Sequence, residues 1–159
     1  MVIQRLFEKM WQDYTSLNPA VLRVRQVFTD AGESDVANDH VAFRTYKHPR
    51  IGLDQLAKVF TDNGYSAKGE YHFKVKKLYA RHFEHSDESL PKIFVSELLT
   101  EQLSAPAQKK IAGLIEQMDF SIAEKQDFCV SGRPWNVSHA DYLSLLEESE
   151  YAAWMAAFG

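Results

Sequence analysis

Apolar residues recur along this chain at two periods, and the places where the period changes mark its elements. Leu6, Met10, Trp11 and Tyr14 share one stripe at helical spacing, which predicts a first amphipathic helix. Asn18-Pro19 reads as a cap followed by proline at the first helical position. The second helix would carry Val21, Leu22, Val24, Val27 and Phe28 and end at Gly32. After a polar stretch, Glu33 to Asp39, the period drops to two. Val41, Phe43 and Thr45 point one way, and His40, Ala42, Arg44 and Tyr46 point the other. Pro49 and Gly52 mark a loop. Leu53, Leu56, Ala57, Val59 and Phe60 predict a helix that Asn63-Gly64 stops.

Three strands are expected next: Tyr65 to Lys74, Lys76 to Phe83 and the strongly apolar Lys92 to Leu99, the last preceded by a polar loop at Ser86 to Pro91. Helices then return. Ser104 caps one that turns Ile111, Leu114, Ile115 and Met118 inward. Gly132 and Pro134 form a turn beside Trp135, and Ser138 with Asp141 makes an acidic variant of the capping box, opening a helix with Tyr142, Leu145 and Leu146. Tyr151 to Phe158 is a last apolar piece. The expectation is an α+β fold in a single domain, residues 1–159. It comprises a helical lead over 1–32, a βαβββ module over 38–100, and a mainly helical extension over 104–159.

Length supports that economy, since 159 residues make about one domain. A net charge of −4 argues against a general nucleic-acid binder. No run approaches the ~18 apolar residues of a membrane span. The N-terminus, Met1-Val2-Ile3-Gln4-Arg5, does not read as a signal peptide. The lone Cys129 cannot form an internal disulfide and reads as a small buried cysteine. A cytoplasmic protein without membrane or nucleic-acid partners is therefore expected.

The chemistry concentrates on the alternating strand. His40 and Arg44 share a face about 13 Å apart along the chain at ~3.3 Å per residue. That separation suits a metal ligand at one end and a carboxylate clamp further along, arginine being the usual fork for a carboxylate. Glu97 stands in the apolar row Ile93, Val95, Glu97, Leu99, where a carboxylate must be paired, protonated or metal-bound. His40 with Glu97 would form an N/O pair for iron, manganese or zinc. The plainer alternatives are a hydrogen-bonded core histidine, and a Glu97 paired with Lys76, Lys77 or Arg81 across the sheet. His82 is a candidate substrate-binding residue, against a plainer place at a solvated strand end. Lys76-Lys77 would attract an anion or simply be solvated. Trp11, Trp135 and Trp154 read as core.

The strings Asn38-Asp39-His40-Val41-Ala42-Phe43-Arg44-Thr45, Lys76-Lys77-Leu78 and Phe94-Val95-Ser96-Glu97-Leu98-Leu99 resemble the 2-oxoadipate dioxygenase/decarboxylase family, some of whose members carry hydrolase or glyoxalase-like labels. The resemblance runs to Gly159. It implies a fold similar to the vicinal-oxygen-chelate enzymes, built of βαβββ modules, and iron(II) held by two histidines and a glutamate. It also implies oxygen-dependent decarboxylation of a small 2-oxo acid, 2-oxoadipate giving 2-hydroxyglutarate in lysine catabolism. His40 matches the first metal histidine and Arg44 the arginine that holds the substrate carboxylate. Members of the family continue into a second module bearing the remaining ligands. A missing C-terminal module, or a two-fold homodimer pooling two copies of His40 and Glu97, is therefore the expected partner. Glu97 would be a ligand or a carboxylate that steadies one. The rivals are a glyoxalase-like isomerase or hydrolase on zinc or nickel, and a non-catalytic module that binds a small acid or a partner. The Tyr151 to Phe158 piece would face a missing partner or else pack on the domain's own sheet.

Overall fold

The computed structural model describes residues 3–33 and 37–159. Part of the predicted polar lead into the first strand, and Met1-Val2 of the N-terminal reading, lie outside the described residues. Two helices come first, α1 (Ile3–Leu17) and α2 (Ala20–Asp30). They are followed by β1 (His40–Tyr46), α3 (Leu53–Thr61), β2 (Ser66–Phe73), β3 (Leu78–Glu84) and β4 (Lys92–Leu98). The chain closes with α4 (Ala105–Ile115), α5 (His139–Glu148) and α6 (Glu150–Phe158). The βαβββ order expected from the alternation is present, in an α+β fold.

The four strands form one sheet in the order β1-β4-β3-β2. β1 and β4 are parallel, which the α3 crossover permits, and the other pairs are antiparallel. Between β2 and β3 the chain turns at 74–77, where Lys77 takes a left-handed φ of 56°. A lysine in that region is uncommon, which is why the turn carries no glycine signal in the sequence.

Each face of the sheet has its own core. On one, Leu6 of α1 and Leu53, Leu56, Val59 and Phe60 of α3 meet Phe83, Ile93 and Val95. At one end of the other, α4 and α6 enclose Tyr46, Leu78 and Leu98 together with Trp135 and Leu145. Ser104 accepts from Ala107 N and Ser138 from Asp141 N, as capping residues should. Trp135 is core, its Nε1 donating to Ala156 O at 3.1 Å.

Several expectations need correction. Asn18 does not cap α2. Its side-chain amide donates back to Tyr14 O, and Pro19 takes the N-cap position without a side-chain bond. None of α2 is buried, and Leu22, Val24, Val27 and Phe28 are exposed, because α2 lies outside both cores. In the last helix Ala152, Ala153, Met155 and Ala156 pack on the domain's own sheet, leaving Trp154 and Phe158 exposed. No helix among the described residues is long and apolar enough to cross a membrane.

Candidate functional site

In a sheet, residues in register on adjacent strands project to the same side, so the pairing pattern places each candidate. One row runs Arg44, Ser96, Ala80, Tyr71 across β1, β4, β3 and β2, and the next runs Ala42, Phe94, His82, Gly69. His40, opposite Lys92, lies one row further toward the start of β1 on the same face. Arg44, His40 and His82 therefore share one side of the sheet.

Glu97 does not join them. It is in register with Thr45 and Tyr79, on the opposite face, so a single copy of this sheet cannot offer His40 and Glu97 to one ion from the same side. Glu97 Oε2 instead accepts from Leu53 N at 2.8 Å, at the first residue of α3. The N-cap position there is Gly52, which has no side chain to give, and a carboxylate reaching from β4 takes its place. A Cβ at Gly52 would stand 3.0 Å from that carboxylate and 2.7 Å from His48 O, so the approach requires glycine. The alternative pairing with Lys76, Lys77 or Arg81 is also absent. Lys77 meets Glu148, Arg81 is ion-paired to Asp54, and Lys76 has no ion pair among the described residues.

Arg44 has a different environment. It projects from an edge strand toward α6, whose buried alanines hold it against the sheet end; Tyr46 Oη donates to Ala152 O at 2.9 Å. That docking brings Tyr151 and Trp154, three residues apart on one side of α6, against Arg44. The guanidinium carbon lies 4.5 Å from the Trp154 ring centroid and 5.8 Å from that of Tyr151. Tyr151 Oη donates to Ser96 O at 3.0 Å, and burial pushes its phenol up to about 12, so the hydroxyl stays protonated at neutral pH. The Arg44 guanidinium forms no ion pair or hydrogen bond with any described residue. A fork of charged donors stacked on tryptophan and left without an acid is a ready receptor for a carboxylate. It opens into a cleft of about 410 Å³ lined also by Val75, Lys76, Lys77, Glu148 and Glu150. Three cations face two acids there, in a chain of net charge −4.

Trp154, expected in the core, is thus half-exposed beside Arg44. Neither it nor Tyr151 was legible as a site residue. Their spacing would have placed them on one helix face, but the strand that face meets is about a hundred positions earlier.

His40 is exposed, and its Nδ1 lies 2.9 Å from Asp39 Oδ2. A carboxylate on one ring nitrogen orients the imidazole and leaves Nε2 outward, an arrangement that fits a metal ligand. The described residues hold no group of three or more His, Cys, Asp or Glu able to enclose an ion. Among the described residues, then, the side chains do not form a complete set of ligands for an ion. His82 is tied to its own sheet, with Nδ1 2.9 Å from Tyr71 Oη and the ring lying over Gly69, where a Cβ would stand 2.9 Å from it. The Cys129 thiol is pushed up to about 12 by burial, as suits a packing residue.

Comparison with known proteins adds the following. The family model for 2-oxoadipate dioxygenase/decarboxylase matches residues 4–159. A chloroplastic 2-oxoadipate dioxygenase/decarboxylase of Arabidopsis thaliana is 31% identical over 92% of this chain and 43% of its own length. A crystal structure from Shewanella frigidimarina, named only provisionally as a hydrolase, is 45% identical with a TM-score of 0.92. The match covers 99% of this chain and 61% of that one. The rice hydroxyglutarate synthase in complex with 2-oxoadipate is 31% identical with a TM-score of 0.88, over 97% of this chain and 53% of that one. A glyoxalase-superfamily protein of Ralstonia eutropha, at 24% identity and a TM-score of 0.69, shares the fold. The chain spans about half the length of the curated relatives it matches.

Proposed function

The chain belongs to the 2-oxoadipate dioxygenase/decarboxylase family, and from that premise we propose that it forms the substrate-clamping half of an iron(II)-dependent cytoplasmic enzyme that decarboxylates and hydroxylates a 2-oxo acid, with 2-oxoadipate to 2-hydroxyglutarate as the type reaction. The observation that carries the reading is Arg44. It is a guanidinium aligned by Trp154 and Tyr151, free of any acidic partner, at the wall of a cleft large enough for a six-carbon acid.

The residues divide the work. Arg44 takes a substrate carboxylate through its fork, and Trp154 and Tyr151 shield that pair from water on one side, which strengthens it. His40, oriented by Asp39, contributes one ligand nitrogen. Iron(II), when bound, would supply the oxygen chemistry, and the remaining ligands would come from the length that the relatives carry beyond this match. Glu97 serves the site indirectly, by holding the start of α3. His82, fixed by Tyr71, presents a polar edge on the same face for the substrate.

The test is oxygen uptake and iron content with 2-oxoadipate, on this chain and on a longer chain carrying the relatives' remaining length. Turnover in the longer chain, with iron lost in His40→Ala and KM raised at least about tenfold in Arg44→Ala, is the expected result. Iron retained in His40→Ala would remove His40 from the site. Iron held by a dimer of the short chain would instead favour completion by a second copy. A second reading, a module that binds a small acid without turning it over, is favoured by one observation: the cleft of Arg44 is lined within this chain, while the described residues hold no group of three or more His, Cys, Asp or Glu able to enclose an ion.

A further inference from the structure

The geometry points to a second ligand site, for a small phosphate monoester, in the cleft between the loop after β1 and α4. His48 and Arg50 are its anion-binding pair, and Lys109 completes the charge.

The cleft, of about 590 Å³, shares no lining residue with the cleft of Arg44. It lies beyond the last residue of β1, a full strand length of ~20 Å from His40. Its walls follow from local structure. Lys47 N donates to Leu98 O at 2.9 Å and Thr45 Oγ1 to Ile51 O at 2.7 Å, which ties both ends of the loop to the sheet. His48 O accepts from Ile51 N at 3.3 Å and from Gly52 N at 2.7 Å, closing a turn that runs into α3. Opposite, Lys109 and Glu116 lie two turns apart along one side of α4, with buried Ile111 and Ile115 as the floor between them.

One aromatic ring aligns the polar groups. The Arg50 guanidinium carbon lies 3.9 Å from the Phe120 ring centroid. The His48 ring is stacked on the same Phe120, with centroids 5.7 Å apart and planes 15° from parallel. Arg50 N donates to His48 Nδ1 at 3.2 Å, so that nitrogen is an acceptor and the ring proton sits on Nε2. Burial, and then the Arg50 charge, lower the His48 pKa from its ordinary value, so the ring is a neutral Nε2–H donor at pH 7.

The charges are not balanced within the fold. Lys47 is spent on Glu101, with Nζ 2.6 Å from Oε1. The Arg50 guanidinium and the Lys109 ammonium have no acidic partner among the described residues. Two uncompensated cations match a dianion. A carboxylate has two oxygens, and an arginine fork saturates them. A phosphate monoester brings three, which leaves one for His48 or Lys109. The volume beyond the phosphate takes a small organic body over the apolar floor, and Glu116 accepts from hydroxyls on that body.

The test is titration with glycerol 3-phosphate, followed by amide NMR. The ester should shift the amides of residues 47–50 and 109–116 and leave those of 148–154 in place. Acetate should bind at least about tenfold more weakly, and glycerol should not bind. Arg50→Gln and Lys109→Gln, both at exposed positions, should each weaken the ester about tenfold without lowering the melting temperature. Arg44→Ala should leave ester binding unchanged. Affinity unaltered in both Arg50→Gln and Lys109→Gln, or no amide shift at millimolar ester, would overturn the site. Equal affinity for acetate would overturn the phosphate class. Sedimentation with phosphatidic-acid vesicles, without any shift by the soluble ester, would overturn the small-molecule ligand in favour of a lipid headgroup.

Discussion

On the face of the sheet that carries Phe43, Val95 and Phe83, α1 and α3 bury the β1, β4 and β3 positions wholly or in part, and only the outer strand β2 leaves residues such as Glu70 and His72 exposed. Even the carboxylate there, Glu97, is spent on the backbone of Leu53. On the other face, α4 to α6 cover only one end. Beyond Tyr46 and Leu98 that face carries charged and polar groups without matching partners: Arg44 without an acid, and His40 with one nitrogen free. The comparison separates two uses of the same alternating strands. Where a helix lies across the row, most polar groups are satisfied within the fold, the buried Nε of Arg81 being an exception. Where the cover stops short, they stay available for a ligand.

The largest effect that would sharpen this contrast is on the closed face. Phe60 is fully buried, with Phe43 and Tyr65 at ring distances of 5.4 and 5.8 Å. Phe60→Ala should cost about 3–5 kcal/mol in urea unfolding, with acid binding per folded molecule unchanged. A smaller effect tests the half-buried carboxylate. Glu97→Gln keeps the shape but removes the charge at the start of α3, and should lower stability by about 0.5–2 kcal/mol while leaving acid binding at Arg44 unaltered. Unchanged stability together with weakened acid binding would break the contrast and move Glu97 into the site.

The smallest effect is on pH dependence at the rim of the open face. The Ser104 hydroxyl and backbone N–H, followed by Lys77, hold the Glu148 carboxyl below the usual carboxylate range. A depressed folded pKa means that the stabilisation is present at neutral pH and is lost as pH falls through that folded value. The melting temperature of the wild-type chain should therefore exceed that of Glu148→Gln at pH 7, and the gap should close as pH falls through the Glu148 value in the folded chain. A gap that persists in acid would show that Glu148 acts through packing and not through charge.

Much of this molecule was legible in one dimension. Alternation from His40 to Tyr46 put His40 and Arg44 on one face, capping residues at Ser104 and Ser138 marked two helix starts, and the βαβββ order followed from the change of period. These are local properties, set by backbone geometry within a few residues, and a single strand or helix end suffices to express them. What remained closed to the sequence was register and docking. Whether Glu97 faces with His40 or against it depends on which residue of β4 lies opposite Thr45, and that depends on how α3 carries the chain across more than forty positions. Trp154 and Tyr151 became walls of the cleft beside Arg44 because the small residues between and beyond them buried α6 against the sheet end, about a hundred positions from Arg44. The apolar residues of α2 have helical spacing and still lie bare, because spacing creates a face and only a neighbour buries it. Periodicity thus determined the elements and the shared face of His40 and Arg44, while the tertiary structure alone decided which of the charged groups on the sheet would find a partner, since partners come from strands and helices far apart in the chain.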